Sequence, residues 1–178
     1  YYFERFRQAG WDWLDPLLAA ASQTSPLVKA RLLLAARDFP RAWETAGEQG
    51  DEVEREYWSN FSTFGLGHDF QFVEHVARRL QAVGRFAVSV DFLMMYRRKS
   101  EDRSSTDAEL VAKALDGLLK SPEDIEIRSL SSYDFEQAFE LLEAHRDHLG
   151  IDRVAQLEWA FLPALGFLAY FLPRTSPR

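Results

Sequence analysis

The clearest pattern of hydrophobic and polar positions lies between Asp51 and Lys99, where it predicts a helix, a loop and a tight helical hairpin. In HDFQFVEHVARRLQAV, apolar Phe72, Val73, Val76, Ala77 and Leu80 recur at steps of one, three or four. That spacing marks one face of a 3.6-residue period. Asp69 suits the N-cap, because its carboxylate can accept from free N–H groups of the first turn. Gly84 suits the left-handed residue that ends the helix, since without a Cβ it takes positive φ cheaply. The next helix presents Phe86, Ala87, Val90, Leu93 and Met94, and finishes on Arg97, Arg98 and Lys99, cations that favour the negative end of the helix dipole. So short a link predicts two antiparallel helices that bury their stripes together.

The rest of the chain carries similar punctuation. Tyr2, Phe3 and Phe6 open a first helix, and Asp15-Pro16 predicts a second over 17–22, with proline at its first position. Ser25-Pro26 repeats that start and carries Leu27, Ala30, Leu34 and Ala35 to Arg37. Asp38-Phe39-Pro40 begins a helix with Ala42, Trp43 and Ala46, ended by Gly47 or Gly50. Asp51 caps DEVEREYWSNF, and Asp51, Glu52 and Glu54 favour the positive end of the dipole. Beyond the polar SEDRSST, Thr106 and Glu109 have the spacing of a capping box ahead of Leu110, Val111, Ala114, Leu115 and Leu118. Residues 122–131 read as a turn or extended piece, since the alternating IEIRSLS would be a lone strand without a partner. Ser132 or Asp134 starts a helix through Phe135, Ala138, Phe139 and Leu142 that ends near Gly150, and a last helix begins at Ile151.

These elements predict an all-α fold of about eight helices, antiparallel hairpins stacked as an irregular α-solenoid or bundle. They form one helical-repeat domain over 1–178, with sub-units 1–50, 51–99 and 104–172. LLLAARDFPRAWETA from Leu32 and RRLQAVGRFAVSVDFL from Arg78 can be superposed as helix end, short turn and a phenylalanine opening the next helix. Phe39 and Phe86 are 47 residues apart, close to the period of roughly 40–47 in HEAT and armadillo arrays.

From Trp159 to Leu172 the chain has no charge. That run is shorter than the roughly 20 apolar residues of a bilayer-spanning helix. Pro163 is expected to bend or break the helix, by removing a donor and crowding the preceding turn. Trp159 and Phe161 are expected to pack inside the chain. Phe167, Leu168, Tyr170, Phe171 and Leu172 are expected to be covered by another protein, another domain or a second copy.

The order EVEREYW, RRLQAVGRFAVSVDFL, SSYDFEQAFELL, DRVAQLEWAFLPAL, over about residues 51–165, resembles an α-helical repeat region, HEAT- or TPR-like, of large bacterial multidomain proteins. The resemblance implies a region that accompanies a separate enzymatic or NTPase domain, with antiphage defence as one setting. In that pattern further helices follow LEWAFLPAL, whereas here GFLAYFLPRTSPR follows. The resemblance assigns no functional residues.

Composition narrows the function classes. A chain 47% hydrophobic and 14% aromatic is built to pack a core. A net charge of −7 disfavours broad attraction to nucleic acid or to an anionic membrane. The absence of cysteine removes disulfides, a thiol nucleophile and thiolate metal sites, and fits a cytoplasmic setting. Tyr1 in place of Met, with no signal-peptide pattern after it, points to a region of a larger chain.

Candidate chemistry is sparse. His145 and His148 stand i, i+3 with Glu143, Asp147 and Asp152 nearby, the spacing of a two-histidine metal site, but two imidazoles without a third convergent ligand fit a solvated helix end better. His68 and His75 flank Asp69 and Glu74, which suggests acid–base work, although a surface or interhelical histidine is the stronger reading. GLG at 65–67 lacks the spacing of a phosphate loop. Arg97, Arg98, Lys99 and Arg103 fit a helix terminus and the connection after it better than a phosphate site. Tyr57, Trp58, Phe61 and Phe64, with Phe70 and Phe72 beyond, could form a stacking platform, yet at helical spacing they are better read as core. Glu158, inside an apolar run, would need Arg153 or Arg146 as a partner if buried. The expectation is a non-catalytic helical-repeat scaffold or recognition module without cofactor or metal. Its partner would be another protein, another domain or a second copy. The rival is a small α-helical metal-dependent hydrolase using His145/His148 or His75 with acidic neighbours.

Overall fold

The structure, a computed structural model, describes residues 2–21, 24–36, 38–64, 66, 70–97, 104–120 and 130–169, with the backbone alone at 70, 97, 132 and 163–169. Among the described residues there is no strand, as the apolar periodicity predicts. They form ten α-helices and one 3-10 turn, more than the eight expected. Two compact units divide the chain, Tyr1–Gly67 and His68–Arg178, and the division falls inside the stretch 51–99.

The first unit holds α1 (Tyr2–Ala20), α2 (Pro26–Leu33), α3 (Phe39–Glu48) and α4 (Asp51–Asn60). Asp15-Pro16 does not start a helix. The break is instead at Gly10, whose φ of 59° and ψ of −143° lie where a side chain is disfavoured, and the second half of α1 runs through Pro16. Leu14 and Leu18, one turn apart on either side of that proline, are both buried, so packing holds the helix across it. The start at Ser25-Pro26 is as predicted, but α2 ends at Leu33 and the chain turns at Leu34-Ala35. Asp51 is the first residue of α4 and Gly50, at φ 105°, takes the cap position. Asp38 precedes α3, and its side chain bonds none of the helix's N–H groups. Its carboxylate accepts from the Trp11 indole N–H at 3.0 Å. Arg41 adds to this link between α1 and α3, pairing with Asp15 at 2.8 Å and lying 4.1 Å from the Trp11 ring centre.

The second unit opens with the 3-10 turn Phe70–Phe72 and continues as α5 (Val73–Ala82), α6 (Phe86–Arg97), α7 (Ser105–Lys120), α8 (Ser132–Ala144), α9 (Arg146–Leu149) and α10 (Ile151–Ala169). The end of α5 is as the sequence predicts. Gly84 has φ 79°, its N–H donates to Gln81 O at 3.1 Å, and the Arg85 N–H donates to Leu80 O at 2.9 Å, the paired bonds of a Schellman terminus. Asp69, the predicted N-cap of α5, lies outside the described residues. Thr106 is not the cap of α7. Ser104 is, its hydroxyl accepting from the Asp107 N–H at 3.1 Å. Helix α8 starts at Ser132, as predicted, and Ser131 caps it: its hydroxyl accepts from the Asp134 N–H and its own N–H donates to the Asp134 carboxylate, a capping box.

Each long helix of this unit packs chiefly on the next and on the next but one: α5 on α6 and α7, α6 on α7 and α8, α7 on α8 and α10. The sixteen-residue α7 is therefore covered from several sides, and eight of its residues are buried. Gly117 is among them, and a Cβ there would overlap the Phe86 ring. Inside the α5–α6–α7 packing sits one polar knot. Gln81 Nε2 donates to Ser89 Oγ at 3.1 Å and to Leu110 O at 3.0 Å, and Ser89 Oγ reaches Ala77 O at 3.4 Å. Gln81 Oε1 is buried and has no hydrogen-bond partner among the described residues. At the far side of the unit, α10 is not broken at Pro163 but runs on to Ala169. The segment 121–129, which holds most of the predicted turn or extended piece, lies outside the described residues, and Leu130 beside it is buried.

Candidate functional site

The two histidines of HRDH have different surroundings. His145 stands at the joint between α8 and α9, and its Nε2 is buried without a hydrogen-bond partner among the described residues. His148 is half exposed, and its Nε2 lies 2.7 Å from Glu109 Oε1 on α7. Glu109, expected as half of a capping box, thus serves a long-range pair. The other oxygens near these histidines in sequence do not gather on them: Glu143 pairs with Arg146 at 2.7 Å, and Asp147 and Asp152 are exposed. Among the described residues no three His, Asp or Glu side chains are grouped to hold a metal ion.

Beside His148 is an open cleft of about 240 Å³ where α5, α7, α9 and α10 meet. Arg78, Lys113, Arg153 and His148 line it with Glu109, over a floor of Leu110 and Leu149. Two of its cations have carboxylates of their own, Arg78 with Glu74 at 2.8 Å and Arg153 with Asp116 at 2.7 Å. This is a rim of opposed surface charges, each pair worth at most about 1 kcal/mol in water. Of the residues singled out in the sequence as candidate chemistry, His148 and Arg153 line it. His75, on α5, is exposed, Glu74 is held by Arg78, and His68 and Asp69 lie outside the described residues.

The aromatic group is mainly core. Tyr57, Trp58 and Phe61 are buried against Trp43, with ring centres 4.9 Å apart for Trp58–Phe61 and 5.6 Å for Trp43–Trp58. Burial pushes the Tyr57 phenol above its usual pKa. Phe64 is the exception, almost fully exposed. Phe72 is half buried, and the Phe70 side chain lies outside the description.

The expected burial in α10 holds at one residue and fails at the other. Phe161 is buried among Phe135 and Phe139 of α8, at ring distances of 5.3 and 6.2 Å. Trp159, expected inside, is 77% exposed, and Ile151 and Leu162 are 61% and 50% exposed. The inward face is set by Val154, Leu157 and Phe161, and two residues along a helix is about 200° around it. Glu158 is exposed as well, and the pairs imagined for it do not form, because Arg153 holds Asp116 and Arg146 holds Glu143.

Phe167 and Leu168 fall on the backbone of α10 with their side chains outside the description, and Tyr170, Phe171 and Leu172 lie outside the described residues altogether. The sequence reading missed Ile151 and Leu162, although the spacing 151, 155, 159, 162 is itself a helical stripe. It missed Lys113 of the cleft because nothing local marks it, and it gave Glu109 a capping role in place of its pairing with His148. Among the described residues no helix is long and apolar enough to cross a membrane. No family model matches this chain, and neither a curated protein nor a solved structure matches it.

Proposed function

We propose that this chain is a non-catalytic helical-repeat scaffold or recognition module, making protein–protein or interdomain contacts in a larger bacterial protein. The observation that carries this reading is the exposed apolar face of α10, with Trp159 at 77% and Ile151 at 61% exposure. Burying a large apolar side chain is worth roughly 1.5–3 kcal/mol. A helix that keeps a tryptophan, an isoleucine and a leucine in water therefore gives up stability that a partner could restore. From α5 to α8 each helix packs on the next and the next but one, which supports a stacked arrangement with an end helix left to be covered.

Photo-crosslinking tests the proposal. A photoreactive residue replaces Trp159 in one version of the protein and exposed Glu48 in another. A discrete, saturable protein adduct from position 159 that is absent from position 48 is the expected result. Identical adduct patterns from both positions, or none from 159, would overturn it.

A further inference from the structure

The face of α10 has a chemistry that selects among partners. Ile151, Ala155, Trp159 and Leu162 are all exposed and follow steps of four, four and three. At about 100° per residue they cover an arc of about 80°. Glu158 falls on one edge of that arc and Asp152 on the other, and both are exposed. The cation within this segment, Arg153, is committed to Asp116. Among the described residues, the apolar stripe is thus edged by the carboxylates Asp152 and Glu158, and the one cation of the same segment, Arg153, is paired.

We propose that this face takes a basic amphipathic helix of a partner protein, with apolar side chains over Trp159 and Leu162 and Lys or Arg against Asp152 and Glu158. The inference rests on the recognition-module reading above and names the partner's chemistry. A helix laid on an apolar stripe is read through anchors at i, i+3, i+4 and i+7, which the exposed positions match. Charge decides between occupants. A second copy would bring the same carboxylates to the contact and an anionic bilayer would bring its own negative charge, so both are repelled, whereas Lys and Arg complete the rim.

The test titrates the full chain into a labelled synthetic helix of about 18 residues, with Leu along one stripe and Lys elsewhere. A control peptide has the same Leu stripe and Glu in place of Lys. Saturable binding of the Lys peptide that weakens with added salt is expected, with no binding of the Glu peptide. Trp159→Ser, at an exposed position, should keep the helical circular dichroism and weaken binding about tenfold or more. Asp152→Lys with Glu158→Lys should weaken the Lys peptide and admit the Glu peptide.

Equal binding of both peptides, no binding of either, or an affinity unchanged by Trp159→Ser would overturn the inference. So would a dimer in sedimentation that Trp159→Ser dissolves, or Trp159-dependent binding to phosphatidylcholine–phosphatidylserine vesicles. These results identify a different occupant. A specific adduct from position 159 combined with failure of the Lys peptide leaves the recognition module standing and removes only the basic helix.

Discussion

Gln81 Nε2 and Ser89 Oγ lie 3.1 Å apart in the packing between α5 and α6, with the Leu110 carbonyl of α7 3.0 Å from the same nitrogen. Because a carbonyl can only accept, the Leu110 contact fixes which end of the amide is nitrogen, and the oxygen end is left buried and unpaired. The two bonds contribute about 1 kcal/mol each, against about 1–3 kcal/mol for the unpaired acceptor. Gln81→Met, similar in shape and without either polar atom, should therefore stay within about 1 kcal/mol of the parent in urea denaturation. Gln81→Glu puts a carboxylate against the Leu110 carbonyl and should cost about 3 kcal/mol or more at neutral pH. Equal effects of the two changes would contradict this account.

Gly117 offers a second test, because a helix interior ordinarily gains about 1 kcal/mol from Gly→Ala. Here the Phe86 ring occupies the place of the missing Cβ. Gly117→Ala should destabilise by about 1–3 kcal/mol in spite of the propensity gain. Trimming the ring with Phe86→Leu should make the alanine less costly than in the parent, a coupling that a double-mutant cycle measures.

Trp159 and Phe161 should part company under substitution. Phe161→Ala removes a buried ring packed on Phe135 and Phe139 and should cost about 3–5 kcal/mol. Trp159→Ser, at an exposed position, should stay within about 0.5 kcal/mol by thermal or chemical denaturation. A large loss at Trp159 would place that ring inside the fold in solution.

Tyr57 sets an alkaline limit on the first unit. Its phenol is held neutral by burial, so its folded-state pKa lies above that of the unfolded chain. Below about pH 10 both states keep the proton and the group adds no pH dependence. Above it, the unfolded chain ionises while the folded one does not, and stability falls as pH rises. Tyr57→Phe should remove that part of the alkaline decline, seen as a shallower loss of melting temperature between about pH 10 and 11. An unchanged alkaline slope would argue against it.

The local signals that carried α5 and the start of α6 are ones with few alternatives: a five-residue apolar stripe and a glycine in the left-handed region. Start signals were less decisive. Ser104-x-x-Asp107 and Thr106-x-x-Glu109 fit the same capping rule, and only the fold shows that the first is used. Asp15-Pro16 read as a helix start because proline suits a first turn, yet Leu14 and Leu18 reward continuation through it. Near uniform apolarity in α10 hid its phase, which is set by Val154, Leu157 and Phe161. Of the candidate sites, the pairing of His148 with Glu109 joins residues 39 positions apart and leaves no local trace. The acidic edges of the α10 stripe were present as Asp152 and Glu158, but their meaning depends on knowing which side of the helix faces water.

The burial of α7 has a consequence for how the second unit opens. Helices α5, α6, α8, α9 and α10 all lie against it, so no single neighbour can peel away and bare its amides on all sides. Amide protons from Leu110 to Leu118 should then exchange with deuterium only when the whole unit unfolds, whereas those near Ile151 and Trp159 can exchange through smaller fluctuations. In the language of folding units, α7 makes the helices from α5 to α10 a single cooperative event, even though they are laid down one after another along the chain.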